Sequence, residues 1–169
     1  MFSIALHELG IAFIPVNIAT LDGNGMVSKY FILDTGATRT TIPKKTLVNK
    51  LGYDDDYISK NKVTIPNEQR PKMADGKRAD VYKIPITRIN IGGHEIQHDD
   101  YVLTSDSVAF SFLLGLDILS YFNFRYDFDA VDDKSKFGRI TLEFRQSRRK
   151  DFSKLGAPFA YRLDDSQGN

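Results

Sequence analysis

Two short stretches carry residue types that could do chemistry, and they point to different reactions. The first is GGHEIQH, residues 92–98, whose last five letters spell His-Glu-x-x-His. On a helix, His94 and His98 would stand one turn apart and grip a zinc ion, while Glu95 activated water. The second is FILDTGATRTTIP, residues 31–43, in which Asp34 closes an apolar run. A carboxylate there must be hydrogen-bonded, paired or used, because burying a lone charge is costly. Thr35 adds a hydroxyl, and Gly36 permits a tight turn close to another backbone. Thr38, Thr40 and Thr41 add further hydroxyls before Ile42 resumes the apolar pattern. Taken alone, Asp-Thr-Gly also arises by chance in an ordinary turn.

The zinc chemistry requires a helix, which would place the histidines about 6 Å apart along its axis. Two glycines directly precede His94, and β-prone runs flank the segment. Both disfavour a helix. In a strand the two histidines would stand about 13 Å apart, too far for one ion. His7 is the only other histidine. The expectation is a surface turn with His94 and His98 exposed. No metal and no cofactor are expected, and a zinc metallopeptidase using His94, Glu95 and His98 is the remote alternative.

The elements around these stretches read as short strands divided by turns. Residues 11–21 and 26–33 flank Asp22-Gly23, a strong hairpin cue. Residues 43–52 read as a short helix, with Pro43 in its first turn and Gly52 at its C-terminal cap. Residues 53–62 are polar and read as a solvated loop. A second Asp-Gly, at Asp75-Gly76, predicts a second hairpin tip within residues 72–82. Apolar residues at 84, 86, 89 and 91 slip in phase, which predicts a bulge or bend. Strands are expected at 101–104, 108–116, 122–130 and 139–144, with a loop at 131–138. The fold class expected from this pattern is mainly β, a sandwich or barrel with one or two short helices.

The chain of 169 residues fits one domain with short extensions. We read residues 1–10 as an N-terminal arm, 11–144 as the domain and 145–169 as a basic, then polar, tail. Arg145, Arg148, Arg149 and Lys150 read first as a solvated charge run, with contact to an acidic partner as the alternative. A net charge of +1 argues against nucleic-acid binding by bulk electrostatics. The absence of cysteine excludes disulfides and thiolate chemistry. No run approaches the roughly 18 apolar residues of a membrane span. The apolar start, interrupted by His7, Glu8 and Pro15, reads poorly as a signal peptide. A cytoplasmic chain is therefore expected.

The ordered set of elements resembles the retropepsin-like aspartic protease family over residues 11–144. ILDTGATRTTIP is similar to the family's apolar-apolar-Asp-Thr-Gly-Ala segment, and residues 43–52 resemble the short helix that often follows. MADGKRADVY resembles the flap hairpin over the substrate cleft, and INIGGHEIQ the strand and turn beyond it. FLLGLDILSYF, residues 112–122, is similar to the second hallmark, apolar-apolar-Gly ahead of a short helix. The resemblance implies a closed-barrel-like acid protease fold and an aspartic endopeptidase. It implies that Asp34 is catalytic, supported by Thr35, Gly36, Ala37 and Gly115, with Ala74, Asp75 and Gly76 in a substrate-binding flap. It also implies that Thr35 hydrogen-bonds across a subunit interface, and that Gly115 lets the following helix pack close beneath the Asp34 turn. The flap departs from retroviral enzymes in having only Gly76 at its tip, and the tail has no counterpart in them.

The chain holds a single Asp-Thr-Gly. Aspartic protease chemistry needs two carboxylates sharing one proton. The second must come from a second copy, so a two-fold homodimer acting on a peptide or protein is expected. A catalytically silent module of the same fold, binding peptides or dimerising, is the alternative.

Overall fold

The computed structural model describes residues 1–72 and 75–145. Its strands fall into two sheets. The smaller contains β1 (Phe2–Ala5), β8 (Phe122–Asp127) and β9 (Arg139–Phe144), with β9 in the centre. The larger contains β2 (Phe13–Ala19), β3 (Met26–Leu33), β4 (Val63–Thr64), β5 (Tyr82–Ile91), β6 (His94–Thr104) and β7 (Leu113–Leu114). Its order is β4-β5-β2-β3-β7, and β6 pairs along the remaining edge of β5. The helices are α1 (Lys44–Leu51), α2 (Asp55–Asn61) and α3 (Leu116–Leu119). The chain is mainly β, as expected, but the sheets do not close into a barrel. Residues 2–5, read above as an arm, pair with β9 from Phe2 opposite Leu142 to Ala5 opposite Arg139.

Local chemistry explains the elements nearest the site. β2 and β3 form the expected hairpin, in register from Phe13 opposite Ile32 to Ala19 opposite Met26. Its turn is tied by Asp22, whose Oδ1 accepts from the Thr20 hydroxyl at 2.6 Å and the Asn24 amide at 3.0 Å. That is the side-chain mimicry of a backbone turn that favours Asp at such positions. Ile14, Val16 and Ile18 point from alternate positions of β2 into the core, where they meet Phe31 and Leu33. Each such burial contributes about 1.5–3 kcal/mol. β3 thus ends with its side chains anchored, and Asp34 follows directly.

α1 begins after Pro43 and ends at Gly52, which adopts φ 78° and donates to the Leu47 carbonyl. Left-handed glycine closure of this kind ends many helices. Residues 53–62 are not the expected loop, because α2 occupies most of them. Asp54 accepts from the Tyr57 amide at 2.7 Å and caps the helix. Asp55 and Asp56 sit in the first turn and Lys60 in the last, each favourable to the helix dipole.

The phase slip in β5 is real. Tyr82, Ile84 and Ile86 are buried, then Ile89 and Ile91. The pairing with β6 shifts register between Ile86 and Arg88.

Candidate active site

Asp34 emerges at the end of β3 into a turn held from below. Its amide donates to the Leu114 carbonyl at 3.1 Å, after Ile32 donates to Phe112 at 2.8 Å and Leu33 to Ala12 at 3.0 Å. Parallel pairing of Ile32 and Leu33 with Leu113 and Leu114 sets this register. Asp34 Oδ1 accepts from the Gly36 amide at 2.9 Å, which fixes the carboxylate within the turn. Asp34 is half-buried, whereas Thr35 and Gly36 are exposed. A carboxylate is therefore presented, in fixed orientation, on an open face.

The turn is fastened to α3. Leu116 and Asp117 donate from their amides to the carbonyls of Ala37 and Thr38, at 2.9 and 3.2 Å. Gly115 makes this approach possible: a Cβ there would lie 2.5 Å from the Arg39 carbonyl carbon and 2.9 Å from the Thr40 nitrogen. Backbone atoms cannot swing away as a side-chain tip can. Gly115→Ala is expected to destabilise the fold by about 1–3 kcal/mol, the scale of overpacking in a filled interior. Urea unfolding would read this as a lower midpoint at unchanged slope.

Sequence reasoning singled out neither Asp117 nor His98 as buried site residues. Asp117 Oδ1 accepts from the Thr40 amide at 2.9 Å, the Thr40 hydroxyl at 2.8 Å and the Ile118 amide at 2.9 Å. The Thr40 hydroxyl also accepts from the Gly115 amide at 3.1 Å. Burial pushes the Asp117 carboxyl up, while His98, the Thr40 bonds and the Ile118 amide pull the other way. A signal was present: Asp117 stands between Leu116 and Ile118 in an apolar run. A carboxylate among apolar residues needs partners, at Asp117 as at Asp34.

His94 and His98 do not form the expected exposed turn. Only Gly92 and Gly93 make the turn, and β6 starts at His94. His94 is partly buried and stacks on Phe144, with ring centroids 4.6 Å apart. His98 is 1% exposed, and its Nε2 lies 3.8 Å from Asp117 Oδ2. An extended strand thus separates the two histidines and sends them to different surroundings. Among the described residues, no cluster of three or more potential metal ligands is found.

The candidate flap is a turn closed by one bridge between Lys72 and Arg78. Gly76 takes φ 80°, and Asp75 Oδ1 accepts from the Lys77 amide at 2.9 Å. Ala74 lies outside the described residues. Among those described, no hydrogen bond joins Asp75 or Gly76 to residues 34–37. The flanking Ile65, Ala79 and Val81 pack with Leu103, Val108 and Phe110. Tyr82 is buried and donates to Asp106 at 2.8 Å. A groove of about 610 Å³ between α1 and residues 105–110 is lined by Lys44, Val48, Asp106, Val108 and Phe110 among others, and includes none of residues 34–37. In the tail, Arg145 donates to Asn123 Oδ1 at 3.1 Å. Arg148, Arg149 and Lys150 lie outside the described residues.

Arg39 carries the turn's ion pair, 2.9 Å from Asp100 Oδ1. Burial pushes the Asp100 carboxyl up, but the Tyr101 amide and Arg39 outweigh it and hold the group below its ordinary value of 3.8. A depressed folded value stabilises the fold above the unfolded value and loses that contribution as pH falls through the folded one. Melting temperature should therefore fall as pH drops below about 4. Arg39→Met should be less stable than the parent at pH 7. The gap should narrow in acid, where Asp100 is protonated in both. Thermal melts across pH 2.5–7 check the sign.

Comparison with known proteins agrees with this geometry. The family model described as "gag-polyprotein putative aspartyl protease" matches residues 19–121, more than half of the chain. Among solved structures, the chain is similar to a retropepsin-like aspartic protease from Rickettsia conorii. The TM-score is 0.51 at 21% identity, over 83% of this chain and 88% of that one. It also aligns with the EIAV protease in complex with the inhibitor HBY-793, with TM-score 0.45 and 20% identity, over 69% of this chain and 91% of that one. No curated protein matches. The family match spans the Asp34 turn, β5, β6 and the Gly115-α3 junction together, and the chain belongs to the gag-polyprotein aspartyl protease family, whose members are aspartic-type endopeptidases.

Proposed function

We propose that the protein is a homodimeric endopeptidase in which Asp34 of two copies activates water between them. The observation that carries this reading is the Asp34 turn: its carboxylate is oriented by the Gly36 amide, while Thr35 and Gly36 stand uncovered beside it. Such a turn is half of a two-carboxylate site. Two like charges about 3 Å apart cannot easily both ionise, so the pair holds one proton. The ionised member takes a proton from water, and the oxygen attacks the scissile carbonyl. The protonated member donates to the developing oxyanion. Thr35 is proposed to bond across the two-fold axis, while Ala37 and Gly115 hold the turn against α3.

Further support for a second copy comes from exposed apolar side chains on and near the loop that precedes β2. Leu9 is 89% exposed in a left-handed conformation, φ 64°, and Phe128 is 62% exposed. His7, in the loop that ends at Ala12, stacks edge to face on Phe13 at the start of β2, and the Ala12 carbonyl accepts from the Leu33 amide. Apolar surface gathered in one exposed region is a mark of contact. The substrate is proposed to bind extended, pairing its backbone with residues 74–76. No helix among the described residues is long and apolar enough to cross a membrane. A cytoplasmic setting is proposed on the absence of cysteine.

The test is a peptide library at pH 4–7, with and without a statine-type inhibitor. Inhibitor-sensitive cleavage, lost in Asp34→Ala, is expected. No Asp34-dependent cleavage anywhere in that range would leave the silent-module reading in its place.

A further inference from the structure

The second histidine of the His-Glu-x-x-His stretch has no part in the reaction proposed above, yet it is buried to 1% exposure. Imidazole is expensive to bury without a polar partner. The bulge explains how it arrives there. Ile86 pairs with Asp100 and Arg88 with Gln97, so His98 and Asp99 stand opposite Thr87 alone. An extra residue of this kind breaks the alternation of a strand and re-aims a side chain.

His98 faces the other oxygen of the Asp117 carboxylate. Three hydrogen bonds to Oδ1, two of them from Thr40, hold the first. Oδ2 faces His98 Nε2 at 3.8 Å. The carboxylate therefore has two sides: one grips the chain leaving the Asp34 turn, and the other faces the imidazole. Thr40 extends the grip to Gly115, and the backbone of Asp117 itself holds Thr38. The neighbouring charges are Arg39 and Asp100, paired at 2.9 Å, with Lys83 beside them. Arg39 follows the Asp34 turn and Asp100 lies on β6, so β6 reaches that segment directly here as well as through Asp117.

We propose that His98 is a positioning residue for the Asp34 turn: its imidazole orients the Asp117 carboxylate, which fixes Thr40 and hence the placement of Asp34. The proposal rests on the peptidase reading above. Misplacement of a reacting group by about 1 Å can lower a rate about a hundredfold, so a partial loss of orientation is expected to be visible in kcat. Substrate affinity should change little, because His98 is sealed from solvent.

The experiment is a double-mutant cycle on the full chain with His98→Gln and Asp117→Asn, each enzyme concentration set by titration with a tight statine-type inhibitor. His98→Asn serves where glutamine does not fold. The expected result is a drop in kcat of about tenfold for each single variant, with KM within about twofold. The double variant should be no worse than the poorer single one, which is the signature of coupling. Unchanged kcat per titrated site, or losses that multiply in the double variant, would overturn the positioning role while leaving the peptidase reading intact. If the parent shows no Asp34-dependent cleavage, the peptidase reading fails and the positioning role falls with it. The same cycle read by urea unfolding would then report only whether His98 and Asp117 are coupled in the fold.

Discussion

Asp34→Asn is expected to lower kcat/KM by about 10³–10⁴-fold or more, while leaving the melting temperature nearly unchanged. The asymmetry follows from what the carboxylate does. Asparagine keeps an acceptor at the position of Oδ1, so the bond from the Gly36 amide survives. Among the described residues no ion pair reaches Asp34, so the substitution strands no buried countercharge there. What asparagine removes is the ability to take a proton from water or give one to a carbonyl. General acid–base groups contribute typically 10²–10⁴-fold each. In a symmetric dimer one substitution removes both partners at once. Steady-state kinetics on a cleaved library peptide, beside a thermal melt, checks both halves of the statement.

Asp117→Ala is expected to behave in the opposite way, by strongly destabilising the fold rather than by sparing it and stopping the chemistry. Three donors lose their acceptor together: the Thr40 amide, the Thr40 hydroxyl and the Ile118 amide. None can turn to water, because Asp117 and Thr40 are buried. His98 loses the carboxylate that faces it. Breaking one side of a buried polar pair costs about 3–5 kcal/mol. That is a large share of the roughly 5–15 kcal/mol by which domains are stable. Asparagine at the same position should be milder, since it can still accept the Thr40 bonds. Chemical denaturation of the three proteins should rank them parent, Asp117→Asn, Asp117→Ala.

The Asp34 turn was legible in the sequence because its logic is local. An apolar strand, a carboxylate at its end and a glycine two residues on describe the turn without reference to the rest of the chain. The β2-β3 hairpin and the glycine-capped α1 were legible for the same reason. α2 was missed because its capping residue, Asp54, sits in a run of three aspartates that looks like solvated loop. The cap is recognisable only when Asp54 is separated from the first-turn acids behind it. His98 could not be placed from its neighbours. Its burial depends on a bulge opposite Thr87 and on a carboxylate nineteen positions away, at Asp117. The closed barrel was an expectation carried by resemblance, and the separate three- and six-stranded sheets depart from it.

Each active site is proposed to draw one Asp34 from each of two chains, and subunit mixing tests this most directly. Parent and Asp34→Asn proteins are combined at fixed total concentration, allowed to exchange, and assayed for cleavage. A shared pair makes mixed dimers inactive, so activity should follow the square of the parent fraction, about one quarter at equal amounts. Activity proportional to the parent fraction, about one half at equal amounts, would mean that a single chain holds a complete site and would contradict the account.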